Sequence, residues 1–183
     1  MHPTISFALL SLLFAGINDV TFKYYSRKKR SKGMYVFGIG IVWTVLQTIT
    51  FRIQGTTLLI DQNTLIFGLV SGGFLTISNI LLIESLTYID VSLGSTIYRL
   101  NTIGVIALSA LFLREPLTLL KSLGIISGIG GVSLLYHKQS NNDSNNTTFT
   151  LFFAIAVIAS LARASYGVTA KAGISQNADQ NTM

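Results

Sequence analysis

The number of long apolar segments constrains this chain most, because six of them are long enough to cross a lipid bilayer. A spanning helix needs about 20 mostly apolar residues to cover a hydrocarbon core of ~30 Å. The segments are residues 5–22, 34–51, 64–83, 91–113, 117–136 and 149–170. The sequence therefore predicts an all-α fold, a polytopic membrane helix bundle with about six transmembrane helices.

The composition and the placement of charge agree with a membrane protein. Half of the residues (50%) are hydrophobic and 11% are charged, against roughly 25% charged in soluble domains. The net charge is +6, and six of the thirteen basic residues lie in one loop between the first two segments. These six are Lys23, Arg27, Lys28, Lys29, Arg30 and Lys32. Such a loop typically faces anionic headgroups, so the expected partner is membrane lipid and not nucleic acid.

Several classes of protein find no support in the residue types. The chain has no cysteine, which excludes disulfides and thiolate chemistry, and its two histidines, His2 and His137, lie far apart. We therefore expect no metal site and no cofactor. A membrane enzyme would need a histidine at membrane depth or a cluster of aspartates, and we expect no enzymatic activity. The first segment lacks a preceding Lys or Arg and a cleavage signal, so it is expected to be a retained helix.

A polar stretch divides the chain unevenly. Residues 137–148 are rich in Ser and Asn and predict a linker. Residues 1–136 then form a first five-helix repeat, and residues 149–183 form the first helix of a second repeat. Shifting segment one by 148 positions aligns it with segment six, with five identities in 17 pairs. The identities are Ala8/Ala156, Leu13/Leu161, Val20/Val168, Thr21/Thr169 and Lys23/Lys171. On this pattern we expect a partial chain, and a half-size protein is the alternative.

Motifs in the third to fifth segments resemble those of a known family. They are the turn Leu86-Thr87-Tyr88-Ile89-Asp90, the step Leu113-Arg114-Glu115-Pro116-Leu117-Thr118, and the glycine-rich run that ends in Gly131-Val132. They resemble the EamA-like branch of the drug/metabolite transporter superfamily, over most of the chain. The resemblance implies two inverted five-helix repeats with transport through the centre. Relatives often have a proline near Asn101 and Thr102, which this chain lacks.

The resemblance implies a transporter of a small metabolite or drug-like solute that works by alternating access in the cell membrane. The partners would be the solute and either a second repeat or a second protomer. A non-transporting subunit that acts only with a partner chain is the alternative. The basic loop places the N-terminus outside and the family pattern places it inside, so the orientation stays open. The substrate, the direction of transport and the coupling ion also stay open.

Ionisable residues inside the spans are the first candidates for a functional site, because each costs about 2.5–3.5 kcal/mol at a helix centre. Arg99 lies deep in the fourth segment, where it could contact substrate or pair with Glu84 across the turn. Asp19 could pair with Lys23 four residues later, or it could couple transport to an ion. Glu84 is a second candidate for coupling.

Uncharged polar and aromatic residues extend the candidate site. Asn79, Tyr98 and Asn101 could hydrogen-bond neighbouring helices or contact the solute. Trp43 lies mid-segment and could line a cavity or face lipid. Arg163, which aligns with Ala15, is a candidate cavity charge of the second repeat.

Two further predictions concern packing alone. Glu115 is expected to cap the fifth helix, with Pro116 at its first position. Small-residue ridges are expected to allow close helix contacts; they are Gly68 with Gly72, Gly124 with Gly128, and Ser127 with Gly131.

Overall fold

The computed structural model describes residues 3–27, 30–55, 61–140 and 146–176, and in these ranges all regular structure is helical. The helices are α1 (Pro3–Ser26), α2 (Lys32–Gln54), α3 (Gln62–Ser85), α4 (Val91–Arg99), α5 (Asn101–Phe112), α6 (Leu119–Ser140) and α7 (Asn146–Ser175). Ser31 and Asp61 cap α2 and α3 by accepting hydrogen bonds from the amides of Met34 and Thr64. These caps satisfy amides that have no partner within the helix.

Six membrane spans are confirmed. Each is long and apolar enough to cross a bilayer, and α4 and α5 together form the fourth, Val91–Phe112. Large apolar side chains are exposed on every span; Phe7 is 72% exposed, Trp43 66% and Leu120 81%. Such surfaces are stable in lipid, where backbone polar groups are satisfied inside the helices. The protein is therefore a multi-pass membrane protein.

The fourth span is not one continuous helix. The single helix expected over residues 91–113 is interrupted at Leu100, whose amide donates to the carbonyl of Ile97 at 3.0 Å. This tighter, three-residue turn separates α4 from α5. The break therefore occurs without the proline that relatives often carry, and it lies next to Tyr98, Arg99 and Asn101.

Contacts at the helix ends fix the direction of each span. Lys23, at the end of α1, contacts the α3–α4 turn. Tyr88 of that turn stacks on Phe152, near the start of α7, with 4.2 Å between the two ring centres. We call this the basic end of the bundle, because the α1–α2 loop lies there. At the opposite end, Asn63 of α3 donates to the carbonyl of Gln176. Hence α1 and α7 cross the bundle in opposite directions.

The buried core lies towards the basic end. Helix α3 packs most extensively on α7, which also contacts α4 and α5. The core side chains come from the end of α1, the start of α2, the end of α3, the α3–α4 turn, α4, Val132 of α6, and the first half of α7. They include Phe22, Val36, Leu82, Ile83, Leu86, Ile89, Leu93, Ile97, Phe149 and Ala156. In contrast, the apolar residues of α1 before Asp19 are largely exposed, among them Leu9, Leu13 and Ile17.

Two connections differ from the sequence predictions. Helix α6 begins at Leu119, so Pro116 is not its first residue; the side chain of Thr118 accepts from the amide of Lys121 instead. Helix α6 continues to Ser140 and α7 begins at Asn146, so both helices extend into the range 137–148 for which the sequence predicts a linker. Residues 141–145 lie outside the described residues.

The close helix approaches occur mostly at glycines other than those predicted. A Cβ at Gly104 would lie 2.7 Å from the Ala164 Cβ, so only glycine allows α5 and α7 to meet there. Gly128 does contact Ile103, as its ridge predicts. At Gly72, Gly124 and Gly131, in contrast, an added Cβ would have no atom of a neighbouring helix within 4 Å. The prediction of close contact is wrong for these three residues.

We expect Gly104→Ala to destabilise the bundle by about 1–3 kcal/mol, because the added methyl group overlaps Ala164 on a helix backbone that cannot yield locally. Gly130→Ala is the matched control, since nothing lies within 4 Å of its Cβ position. Alanine also favours helix there. Thermal unfolding in detergent should show a lower midpoint for the first variant only, and equal midpoints would contradict the close approach.

Candidate functional site

Two polar residues of α4 contact one carboxylate of α1. Arg99 contacts α1, where its Nη2 donates to Asp19 Oδ2 at 2.7 Å. Ser95, one turn earlier on the same helix, donates to the same oxygen at 2.8 Å. Asp19 is 5% exposed. Two donors therefore satisfy this buried carboxylate and tie α1 to α4.

The pairings predicted from sequence proximity are wrong. Arg99 pairs with Asp19 and not with Glu84, which forms an ion pair with Lys32 of α2. Lys32 also donates to the hydroxyl of Thr87 at 3.1 Å. Glu84 therefore faces α2, while Arg99 lies on the side of α4 that faces α1. The positions of Glu84 and Arg99 on either side of the α3–α4 turn do not determine which neighbouring helix each side chain faces.

The predicted pairing of Asp19 with Lys23 is also absent. Lys23 Nζ donates to the carbonyls of Leu86 and Ile89, at 2.7 and 2.8 Å. The hydroxyl of Ser26 adds a bond to the Leu86 carbonyl at 3.1 Å. A cation is favourable at the carbonyl end of a helix, and Leu86 is the C-cap of α3. Lys23 therefore holds the end of α1 against the α3–α4 turn.

Tyr98, adjacent to Arg99 in sequence, contacts α3 and α7. Its hydroxyl donates to Asn79 Oδ1 at 3.2 Å and lies 3.2 Å from the hydroxyl of Ser78. Ser78 in turn donates to the carbonyl of Ala159 at 2.8 Å, and Ser160 lies 3.4 Å from the Tyr98 carbonyl. Two of the predicted site residues, Asn79 and Tyr98, are thus joined by a hydrogen bond between helices.

Arg163 joins the same group from α7. Its guanidinium carbon lies 5.9 Å from the centre of the Tyr98 ring and 5.2 Å from that of Tyr166, one turn along its own helix. These distances are those of cation–π contacts. We call Asn79, Tyr98, Arg163 and Tyr166 the tyrosine–arginine cluster.

The remaining predicted residues lie apart from this cluster. Asn101 begins α5 and accepts a hydrogen bond from Thr102 at 3.4 Å. Trp43 lies on the exposed face of α2, beside a shallow groove that Tyr35, Gly38 and Val42 also line. Among the described residues, no group of three His, Cys, Asp or Glu side chains could hold a metal ion.

Glu115 does not cap a helix as predicted; it forms an ion pair with Lys171 of α7. The hydrogen bond from Lys171 is the main reason that the pKa of Glu115 lies below its ordinary value of 4.5. This pair joins the α5–α6 connection to α7 at the end opposite the basic loop.

Four residues of the site are not identified by sequence reasoning: Ser78, Ser95, Ser160 and Tyr166. Serine is common in membrane helices, where its hydroxyl can bond the preceding turn. A serine that instead bonds a neighbouring helix therefore has no distinct sequence signal. The spacing of Tyr166 three residues after Arg163 could have indicated their contact, because residues at that spacing share a helix face.

We expect a double-mutant cycle on Asp19→Asn and Arg99→Gln to give a coupling of about 0.5–3 kcal/mol, because each single change leaves one partner without its counter-charge. The matched control is the cycle on Glu115→Gln and Lys171→Gln, whose lysine is exposed and whose coupling should be smaller. Thermal unfolding in detergent measures both. Independent effects of the two changes at residues 19 and 99 would contradict the ion pair.

The depressed pKa of Glu115 predicts a dependence on acid. A carboxylate whose pKa is lower in the folded state stabilises that state above its unfolded pKa and loses the effect as pH falls through the folded value. The unfolding midpoint of the wild type should therefore exceed that of Glu115→Gln at pH 7. The difference should begin to shrink near the ordinary value of 4.5 and disappear only below the lower pKa of the folded state. A difference that is constant with pH would contradict the pairing.

Comparison with known proteins gives one match. The sequence profile of the EamA-like transporter family matches residues 2–137, a range that extends to the end of the fifth span. Searches of curated proteins and of solved structures find no match to the chain.

Proposed function

Because this chain belongs to the EamA-like transporter family, within the drug/metabolite transporter superfamily, we propose that it carries a small metabolite or drug-like solute across the membrane by alternating access. The observation that carries the proposal is the tyrosine–arginine cluster beside the break in the fourth span. Polar residues and a discontinuous helix within the bilayer are the usual markers of a transporter's binding site.

The solute site is proposed at the tyrosine–arginine cluster. Its members come from α3, α4 and α7, the helices that pack at the centre of the described bundle. Tyr98 and Arg163 are both half-buried, so part of each side chain is accessible to a solute. Asn101 would take part only through a rearrangement of the break, and Trp43 would contact lipid.

Helix α1 is proposed as the element that moves between the two states. Its polar contacts with the bundle lie between Asp19 and Ser26, whereas its first four turns carry exposed apolar side chains. The structure thus resembles a state that is closed at the basic end. Opening that end would require Lys23 to leave the α3–α4 turn and Lys32 to leave Glu84.

Asp19 is the better of the two proposed coupling residues. It is buried and holds α1 through Arg99 and Ser95, so protonation of Asp19 would weaken the contact between α1 and α4. Glu84 is more exposed and contacts α2. This reasoning links a proton to the element that moves, which is what coupling requires.

Helix α7 is proposed as the first helix of a second, inverted repeat. Two observations support it: α1 and α7 share the Val-Thr-x-Lys ending, and they cross the bundle in opposite directions. The small residues Ala159 and Ala164 of α7 are buried, whereas their counterparts on α1, Ser11 and Gly16, are exposed. The corresponding face of α1 is therefore available for a helix of the second repeat or of a second protomer.

Solute counterflow in proteoliposomes tests the proposed transport. The full chain would be reconstituted and screened with radiolabelled amino acids, nucleosides and organic acids, with empty liposomes as the blank. We expect saturable counterflow of at least one class, reduced about tenfold or more by Asn79→Ala together with Tyr98→Phe, because the hydrogen bond that orients the site is lost.

Ser133→Ala is the matched control for loss of a hydroxyl group, since Ser133 faces outward on α6 and bonds its own helix. It should transport as the wild type does. Saturable binding without counterflow by any solute would instead favour the alternative, a membrane subunit that acts only with a partner chain. A full rate in the double variant would place the solute elsewhere.

A further inference from the structure

The charges of the described residues do not balance at the tyrosine–arginine cluster. Three of the carboxylates are engaged elsewhere in ion pairs, Asp19 with Arg99, Glu84 with Lys32 and Glu115 with Lys171. Asp61 caps α3. Asp90 precedes α4, eight residues and about 12 Å of helix away from Tyr98. None of these carboxylates pairs with Arg163.

Arg163 is therefore a membrane-embedded cation that lacks a counter-charge in the described part of the chain. It lies near the middle of the span Thr147–Ser175, too far from either end to reach the interface easily. The rings of Tyr98 and Tyr166 are its close contacts. Aromatic rings attract a cation but carry no net charge to neutralise it. Arg99 differs, because Asp19 already neutralises it.

We propose that Arg163 binds the carboxylate of a monoanionic solute, with Tyr98 and Tyr166 against the solute's apolar part. This assignment rests on the proposed function and names the class of solute for that site. One uncompensated guanidinium matches one negative charge. Its planar fork fits a carboxylate through two parallel hydrogen bonds.

The charges around Arg163 also argue against three other classes of solute. A doubly charged phosphate would need a second free cation, and Arg99, the nearest in sequence to Tyr98, is paired. A cationic solute would be repelled by Arg163. A neutral solute would not neutralise the charge of Arg163, and its binding would not be strengthened by an ion pair.

Equilibrium binding of carboxylates and their amides tests the proposal. The full chain would be placed in phosphatidylcholine nanodiscs, and binding of radiolabelled acetate and benzoate would be compared with that of acetamide and benzamide. Each acid and its amide have nearly the same shape and differ in charge. We expect the preferred acid to bind at least about tenfold more tightly than its amide.

Variants at residue 163 test whether Arg163 causes the preference for the acid over its amide. Arg163→Gln should abolish the preference for the acid, so that acid and amide bind alike, while Arg163→Lys should retain part of the preference, because the charge remains and the fork is lost. Arg52→Gln is the matched control, as Arg52 is exposed at the end of α2, and it should bind as the wild type does. A preference that survives in Arg163→Gln would overturn the proposal.

A measurement on the wild-type protein tests the proposal even if the variants do not fold. Phenylglyoxal modifies arginine, and mass spectrometry reports its extent at each site. Benzoate should slow the modification of Arg163 and benzamide should not. Equal rates with both ligands would overturn the proposal. So would full protection by phosphatidylserine in the nanodisc without any solute, since the anion would then be a lipid headgroup.

Failure of this inference differs from failure of the proposed function. If neutral solutes are carried through a site that depends on Tyr98, while no acid is preferred over its amide, the anion assignment is wrong and the transporter stands. If no solute is either bound or carried, both are wrong.

Discussion

Lipid as the surrounding solvent determines how this structure must place its polar groups. A charge within a span cannot be hydrated there, so it must find a partner in the protein or in a ligand. Asp19 and Arg99 satisfy each other and join α1 to α4, and Lys23 satisfies two carbonyls of the α3–α4 turn. The same requirement makes Arg163 notable, because its described contacts are aromatic rings.

These polar contacts divide the bundle into two parts that differ in packing. Helices α3, α4, α5 and α7 form a close group, with Gly104 against Ala164 and Ser78 bonded to Ala159. Helix α1 makes polar contacts with this group in its last turns, by way of Asp19, Lys23 and Ser26, and most of its earlier apolar side chains are exposed. A helix held mainly at one end can pivot there with few contacts to break, which suits the alternating access that we propose.

The sequence predicts the features that depend on the local composition of each segment. It does not predict which neighbouring helix a given side chain contacts. The six spans follow from hydropathy, a property of each segment by itself. The partners of Arg99 and Glu84 do not, because a helix turns about 100° per residue. A small change in register or in the break at Leu100 therefore changes which neighbour a side chain meets. The sequence identifies Tyr98 and Asn79 as candidate site residues but not Ser78 and Ser95, since serine on a membrane helix carries no distinct signal of its own.

A disulfide between α5 and α7 tests the central arrangement most directly, because it is the position of α7 that brings Arg163 to Tyr98. The chain has no native cysteine, so Val105→Cys with Gly167→Cys introduces one possible pair, at a contact between α5 and α7 where a Cβ on residue 167 would lie 3.3 Å from Val105 Cγ2, within the reach of a disulfide. Oxidation in native membranes should join them in high yield, and mass spectrometry should find the linked peptides. Gly130→Cys with Gly167→Cys should remain unlinked, since nothing lies within 4 Å of the Cβ position at Gly130. Cross-linking of the second pair and not of the first would contradict the arrangement.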